Sequence, residues 1–346
     1  MYPALEVAKL ARDRGAELRY LGSLRGQEGK ACAALDIEFL GFPTQPFYGF
    51  RTLAGWKALV DFARSRILAK QNLCRSRPDA VFSTGGYAAA PIVSAARALR
   101  IPYVIHSADS LPAKSNRMYG REAFAFTCAF RSTSTYVPDL KVTRTGHPIR
   151  EDLRAAARGK TFSGSGRRVL VVGGSQGSEF LNQNVPAAMA GLDVQVLHAT
   201  GPKQFQATSA TIAKLGLENY ELKPYLESSE MARAYAEADV VIARSGGTLA
   251  EIAMFGLPSI LVPLPTSADD HQLHNAEEFA AMNAATLLRQ ATGSGNAQVA
   301  TPDSIRTAVA EWLGDEDRRK EAAKNLHEWD VPDATERIVK LIEAAK

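Results

Sequence analysis

Nowhere in these 346 residues do about 18 uncharged apolar positions run together, so no helix is expected to span a bilayer. Met1 is followed at once by Tyr2-Pro3-Ala4-Leu5, with neither a basic segment nor an apolar one. No secretory leader is read there, and a cytoplasmic location is expected. Cysteine is scarce. Cys32, Cys74 and Cys128 are odd in number and widely spaced, which fits a reducing compartment and gives neither a disulfide framework nor a metal pattern. Internal repeats and low-complexity segments are missing too. What remains is a chain with 46% hydrophobic residues, long enough for two domains of about 150 to 175 residues, each with an ordinary core.

The net charge of +4 hides a division. Residues 1–150 carry 22 Lys and Arg against 11 Asp and Glu, a balance of +11, and residues 151–346 carry 19 against 26, a balance of −7. Such asymmetry points one half toward something anionic. The densest stretch holds Arg51, Lys57, Arg64, Arg66, Lys70, Arg75 and Arg77 with one acid, Asp61, interleaved with Leu53, Trp56, Leu59, Val60, Phe62, Ile67 and Leu68. Two arrangements fit: the apolar stripe packs on a sheet and the basic face is solvated, or the helix lies on an anionic bilayer surface. No nucleic-acid motif accompanies the charge, so nucleic acid is not an expected partner.

Short apolar runs alternate with helical patterns throughout, the mark of parallel α/β units. Strands are predicted at 17–21, 37–40, 80–83, 103–106 and 123–128, with helices near 3–14, 52–76 and 89–99. In the second half strands are predicted at 168–172, 194–199, 220–224, 240–243, 259–262 and 285–288, with helices near 178–190, 230–237, 248–255, 271–282 and 303–326. The Gly-, Ser-, Arg- and Lys-rich stretch 155–166 reads as a linker. A doubly wound domain begins with a strand, a glycine turn and a helix; this chain begins inside the helix, so the first strand is expected to be missing and its slot in the sheet unpaired.

Three turns in the second half carry chemistry. Arg168-Val-Leu-Val-Val-Gly-Gly-Ser-Gln-Gly-Ser178 runs from a buried strand through glycines into a helix. Glycine lets backbone approach a ligand, and the helix start offers N–H groups and a positive dipole end to a phosphate. The spacing is neither that of a dinucleotide fingerprint nor of a P-loop, and a plain tight turn is the alternative. Arg244-Ser-Gly-Gly-Thr-Leu-Ala-Glu251 repeats the pattern, placing Gly246, Gly247 and Thr248 where a phosphate is cradled and Glu251 one turn on, where a carboxylate can accept both ribose hydroxyls. An ordinary first-turn Glu favoured by the helix dipole is the alternative. In Asp269-Asp-His-Gln-Leu-His-Asn-Ala276, Gln272 and Asn275 share a helix face suited to sugar hydroxyls. His271 and His274 lack further ligands for a metal. Asp315-Glu316-Asp317, formally a metal-binding D-x-D, reads as a solvated helix start.

In the first half, Gly85, Gly86 and Tyr87 follow a strand at the carboxyl edge where open α/β sheets bind ligands, and suit an anionic group. His106 and Asp109 are the acid–base candidates, with a structural histidine and a helix N-cap as their respective alternatives. Arg150 can reach a diphosphate or pair with a surface acid.

Taken in order, Tyr-Pro-Ala-Leu at 2–5, Gly-Gly-Tyr-x-x-x-Pro at 85–91, His106, Gly-x-Pro-Ile-Arg at 146–150, Gly-Gly-Ser-Gln-Gly at 173–177, Arg-Ser-Gly-Gly-Thr-Leu-Ala-Glu at 244–251 and Asp-Asp-His-Gln-x-x-Asn-Ala at 269–276 resemble the MurG family of undecaprenyl-diphospho-muramoylpentapeptide N-acetylglucosaminyltransferases, over essentially the whole chain. The resemblance implies an α/β fold of two Rossmann-like domains of GT-B type with parallel sheets: residues 1–149 for acceptor and membrane, joined by the last helix 332–346, and 150–331 for UDP-N-acetylglucosamine. It implies that Arg150 and Ser175 meet the diphosphate and Glu251 the ribose. Leu226 lines the uracil pocket, Gln272 and Asn275 hold the sugar, and Gln176, Gly246, Gly247, Thr248 and Leu249 complete the donor site. Gly85, Gly86 and Tyr87 take the acceptor diphosphate. The implied reaction is inverting transfer of N-acetylglucosamine to lipid I, forming lipid II at the cytoplasmic side of the inner membrane, against an anionic inner-leaflet surface, with no metal or other cofactor. A related transferase with another acceptor, and an inactive nucleotide-sugar-binding relative, are the alternatives. The chain departs from the family in three places. The first glycine-rich loop, with its proposed catalytic base, would precede Tyr2; the family's His-Glu-Gln-Asn reads His106-Ser107-Ala108-Asp109; and His147 stands where Asn is usual.

Overall fold

The computed structural model describes residues 1–45, 52–159, 167–290 and 298–346, so Arg51 and positions 160–166 of the expected linker lie outside the described residues. Two compact units divide the chain, Met1–Ile149 with Asp333–Lys346, and Arg150–Pro332.

The first unit alternates α1 (Tyr2–Asp13), β1 (Arg19–Ser23), α2 (Glu28–Ala33), β2 (Glu38–Phe42), α3 (Leu53–Ser76), β3 (Val81–Ser83), α4 (Ala90–Ala98), β4 (Tyr103–Ser107), α5 (Lys114–Tyr119), β5 (Ala125–Cys128), α6 (Thr133–Tyr136) and β6 (Val142–Arg144). All its strand pairs are parallel, but they form two sheets, β1-β2 and β3-β4-β5-β6. One apolar cluster nonetheless draws on both, with Phe42, Leu21 and Leu40 beside Val81, Tyr103, Ile105 and Phe126.

The second unit runs α7 (Glu151–Arg158), β7 (Arg168–Val172), α8 (Glu179–Met189), β8 (Gln195–Ala199), α9 (Phe205–Leu215), β9 (Tyr220–Lys223), α10 (Ser228–Glu237), β10 (Val240–Ala243), α11 (Thr248–Met254), β11 (Ser259–Leu261), α12 (His271–Ala281), β12 (Ala285–Leu287), α13 (Pro302–Gly314) and α14 (Glu316–Trp329). Its six strands form one parallel sheet, ordered β12-β11-β10-β7-β8-β9. That is the Rossmann order, with the reversal between β7 and β10. In the same order the first unit's innermost strand would sit between β1 and β3, and no strand of the described residues fills that place.

The last helix, α15 (Ala334–Glu343), belongs to the first unit. Ile338 and Val339 are buried against Val7, with Leu10, Ala11, Phe82 and Ile342 around them. Arg14 adds ion pairs to Glu336 and Glu343.

Several expectations need correction. Ala155–Arg158 is helical, part of α7, and not linker. The expected helix 303–326 is two helices broken at Asp315, which caps α14 by accepting from the Arg318 amide at 2.8 Å. Asp109 is not a helix N-cap; α5 starts at Lys114 after Ala113. Gly85 and Gly86 do not open α4 directly, since a turn over Tyr87–Ala89 intervenes.

Of the two arrangements open for α3, the one with its apolar stripe packed on the sheet is not found. The inward face of α3 is Gly55, Ala58, Asp61, Ser65 and Ala69, small or polar residues at helical spacing that let it lie close on α4, with Leu73 buried near its end. Arg66 crosses to Ser94 Oγ at 2.9 Å, and Asp61 accepts from Gln45 Nε2 at 3.0 Å. Five large apolar residues point out: Leu53 is 90% exposed, Trp56 59%, and Val60, Ile67 and Leu68 are exposed as well.

Candidate functional site

The strand order of the second unit reverses between β7 and β10, and ligands of such sheets bind at the carboxyl ends beside the reversal. After β7, Gly173–Gly177 forms a tight turn whose Gly177 amide donates to Gly174 O at 2.9 Å. Gly177 has φ 78°, and a Cβ there would collide with Thr200 O. The backbone of this turn therefore presses against the end of β8, and only glycine permits it. Ser178 ends the turn and caps α8, its Oγ accepting from the Leu181 amide at 3.4 Å. Ser175 and Gln176, at the turn's tip, are exposed.

After β10, Arg244–Gly247 leads into α11. Gly247 has φ −58°, and a Cβ there would meet nothing within 4 Å; at Gly246 it would meet only Gln272 Nε2, at 3.8 Å. These two glycines are not demanded by the fold. They leave room above the backbone.

The third loop joins the second directly. Ser245 Oγ donates to Gln272 O at 2.7 Å, and Asn275 Nδ2 to Ser245 O at 3.0 Å. Gln272 Oε1 accepts from the Leu264 amide at 3.0 Å, so its Nε2 is the end that faces Gly246. Asn275 is fully buried. Its amide braces the Ser245 turn instead of facing outward, so Gln272 is the better placed of the two for a sugar. Leu226 and Leu249 are also buried, and the Leu249 amide donates to Gly246 O at 3.1 Å.

Glu251, on α11, accepts from Tyr235 Oη at 2.9 Å. Burial pushes its carboxyl up, and the Tyr235 hydrogen bond and the Arg150 charge oppose that. Arg150 immediately precedes α7, and its charge reaches Tyr235 as well. The turn after β7, the space over Gly246, the Gln272 amide and the Glu251 carboxylate all belong to segments at one edge of one sheet.

In the first unit Gly85 and Gly86 have φ of 82° and 91°, and a Cβ on Gly85 would strike the side chain of Asn116. Asn116 is buried and donates toward His106 O at 3.5 Å. Tyr87 is 44% exposed. His106 is enclosed in β4, its Nδ1 3.0 Å from Thr127 Oγ1 and its Nε2 without a partner among the described residues. Burial, then the nearby His147 ring, lowers its pKa to about 3. The His147 ring lies 6.2 Å away, its pKa lowered to about 4 by burial and the Met1 ammonium. Both rings are therefore neutral at pH 7. Asp109 sits half-buried in the loop after β4, its carbonyl accepting from Ser107 Oγ at 2.9 Å. His106 is thus enclosed in the strand, whereas Asp109 is partly exposed.

Sequence reading did not single out Tyr235 or the side chain of Arg244. Tyr235 lies in a helix that looks merely amphipathic, and only folding brings it 16 residues forward to Glu251. Among the described residues no group of three or more His, Cys, Asp or Glu is arranged to hold a metal.

Residues 168–338 match the glycosyltransferase family 28 C-terminal domain, and residues 1–126 match the family 28 N-terminal domain. A protein of Halorhodospira halophila named UDP-N-acetylglucosamine–N-acetylmuramyl-(pentapeptide) pyrophosphoryl-undecaprenol N-acetylglucosamine transferase is 35% identical, across 99% of this chain and 94% of its own length. One of the same name from Bacillus licheniformis is 31% identical across 100% and 95%. Among solved structures, Acinetobacter baumannii MurG superimposes with a TM-score of 0.79 at 29% identity, covering 99% of this chain and 95% of that one. S. aureus MnaA bound to UDP shares the fold, with a TM-score of 0.65 at 15% identity and coverage of 98% and 92%.

Proposed function

The chain belongs to the UDP-N-acetylglucosamine–N-acetylmuramyl-(pentapeptide) pyrophosphoryl-undecaprenol N-acetylglucosamine transferase family, and from that premise we propose which of its residues share the reaction. It is a hexosyltransferase that moves N-acetylglucosamine from UDP-N-acetylglucosamine to lipid I, making the lipid II used in peptidoglycan synthesis. The donor is assigned to the second unit. Ser175, Gln176 and the start of α8 take the diphosphate, with Arg150. The turn Gly246–Leu249 lies along the nucleotide, Glu251 accepts the ribose hydroxyls, Leu226 borders the base, and Gln272 holds the sugar, with Asn275 behind it. Carrying this reading is the junction of the turns after β7, β10 and β11 at the strand-order reversal, tied by Ser245 to Gln272 and by Arg244 to Ser178.

In the inverting step the acceptor's 4-hydroxyl attacks the anomeric carbon on the face opposite UDP. The C1–O bond to the diphosphate breaks and its electrons leave with UDP, while the hydroxyl proton passes to a base. Asp109 is proposed as that base, ahead of the enclosed His106. Charge developing on UDP meets Arg150 and the dipoles at the starts of α8 and α11, so no metal is assigned a role. Gly85, Gly86 and Tyr87 in the first unit are assigned to the acceptor diphosphate.

The acceptor is membrane-held, and α3 is the surface proposed to meet the inner leaflet. None of the described helices is long and apolar enough to cross a membrane. Leu53, Trp56, Val60, Ile67 and Leu68 are exposed beside the exposed cations Lys57, Arg64, Lys70, Arg75 and Arg77. Apolar insertion and attraction to anionic lipid then act together. A peripheral location at the cytoplasmic face is proposed on that ground.

Calorimetric titration with UDP-N-acetylglucosamine tests the donor site, and product analysis with lipid I against a second polyprenyl-linked sugar tests the acceptor. No heat with the donor, or equal transfer to both acceptors, would sink the assignment.

A further inference from the structure

Arg244 ties several segments of the second unit together. It leaves the carboxyl end of β10, and its guanidinium reaches four oxygens on three other segments. Nε donates to Ser178 Oγ at 3.0 Å, Nη1 to Val262 O and to Pro263 O at 2.9 Å each, and Nη2 to Gln290 Oε1 at 3.1 Å. Its carbon lies 5.8 Å from the centre of the Phe180 ring. Every one of these partners is neutral. Among the described residues no carboxylate pairs with it, although the side chain is partly buried.

These contacts span the two halves of the donor site. Ser178 ends the Gly173–Gly177 turn and caps α8. Val262 and Pro263 lead to Leu264, whose amide fixes Gln272 Oε1. Moving the guanidinium would shift the phosphate turn against the sugar-facing amide. Burying a cation among neutral acceptors is unfavourable unless an anion arrives, and burial here lowers the Arg244 pKa to about 10.

We propose that Arg244 is a positioning residue for the donor: its fork sets the phosphate turn against Gln272, and its unbalanced charge is met by the donor's diphosphate without direct contact. This rests on the assignment of the donor to the second unit. Geometry and charge are separable, because lysine keeps the charge but cannot reproduce a planar fork onto four acceptors.

The test uses the full chain with Arg244→Gln, Arg244→Lys and Ser178→Ala, reading kcat and KM for UDP-N-acetylglucosamine and for lipid I, with thermal melting alongside. Arg244→Gln is expected to raise the donor KM at least tenfold and lower kcat at least tenfold, with the lipid I KM within twofold of the parent. Arg244→Lys is expected to bring the donor KM back within about threefold while kcat stays low. Ser178→Ala, which removes one arm, should lower kcat less, and less than additively when combined with Arg244→Lys. Equal donor KM in the Gln and Lys variants would overturn the charge role, and unchanged kcat in Arg244→Lys would overturn the fork. If Arg244→Gln does not fold, Arg244→Lys and Ser178→Ala still decide the fork, and a donor KM in Arg244→Lys more than threefold above the parent would overturn the charge role. Parent protein that binds no donor would defeat the donor-site assignment itself. Parent that binds it with all three variants unaltered would defeat this proposal alone.

Discussion

Tyr235 donates its phenolic proton to Glu251 Oε2 across 2.9 Å, while its ring stacks on Phe255 with centroids 5.2 Å apart. A fully buried tyrosine thus fixes one oxygen of the Glu251 carboxylate. Burial alone raises the Glu251 pKa and the hydrogen bond pulls it down. Removing the bond with Tyr235→Phe should lift that pKa further. Donor affinity is then expected to fall by roughly tenfold or more, the worth of a hydrogen bond to a charged group, with the larger loss at pH 6 than at pH 8. Calorimetric titration at both values checks this; equal losses would detach Tyr235 from the charge on Glu251.

Two glycines should behave in opposite ways. Gly177→Ala puts a Cβ into Thr200 O at φ 78°, so destabilisation beyond about 2 kcal/mol is expected in denaturant unfolding. Gly247→Ala meets open space at an ordinary φ and should leave stability within about 0.5 kcal/mol, yet weaken donor binding by crowding the nucleotide. Undiminished donor affinity in Gly247→Ala would mean the Ser245–Thr248 turn does not touch the donor.

Replacing exposed Trp56 and Ile67 by Ala should reduce binding to anionic vesicles with little change in melting temperature, since more than half of each residue is exposed. Neutralising Arg64, Lys70 and Arg75 should cost about 1 kcal/mol each at low salt and flatten the salt dependence. Sedimentation with phosphatidylglycerol vesicles reads both effects. Parent-like partitioning by both variants would rule out α3 as the docking surface.

Acid should unfold the protein early. Burial lowers the pKa of His106 to about 3, of His147 to about 4 and of His198 to about 3. Each is neutral when folded and takes a proton near pH 6.5 when unfolded. Their contribution is therefore intact above about pH 6.5 and is lost as pH falls toward 4, at up to about 1.4 kcal/mol per pH unit for each. His147, only half-buried, should contribute least. Urea midpoints at pH 7.5, 6 and 5 should fall in that order; a flat series would contradict neutral, enclosed rings.

The parallel α/β plan, the two glycine turns that open α8 and α11, and the Gln272 helix face were legible in the chain, because strand-turn-helix signals are local: an apolar run, a glycine, then a helical period. Helices with weak periods were not, such as the Ser- and Thr-rich α9, nor the break at Asp315, where a charged run looked continuous. The apolar residues of α3 were visible, but not which way they face. Periodicity locates a stripe and assigns it inward by default. Here α4 takes the small face of Ala58, Ser65 and Ala69 instead, a choice made by which neighbour needs close approach. The same division separates Arg244 and Tyr235 from the turns they serve. A motif of adjacent residues is written in the sequence, whereas a fork onto Ser178, Val262 and Gln290, or a phenol above Glu251, exists only once the strand order has brought distant segments together.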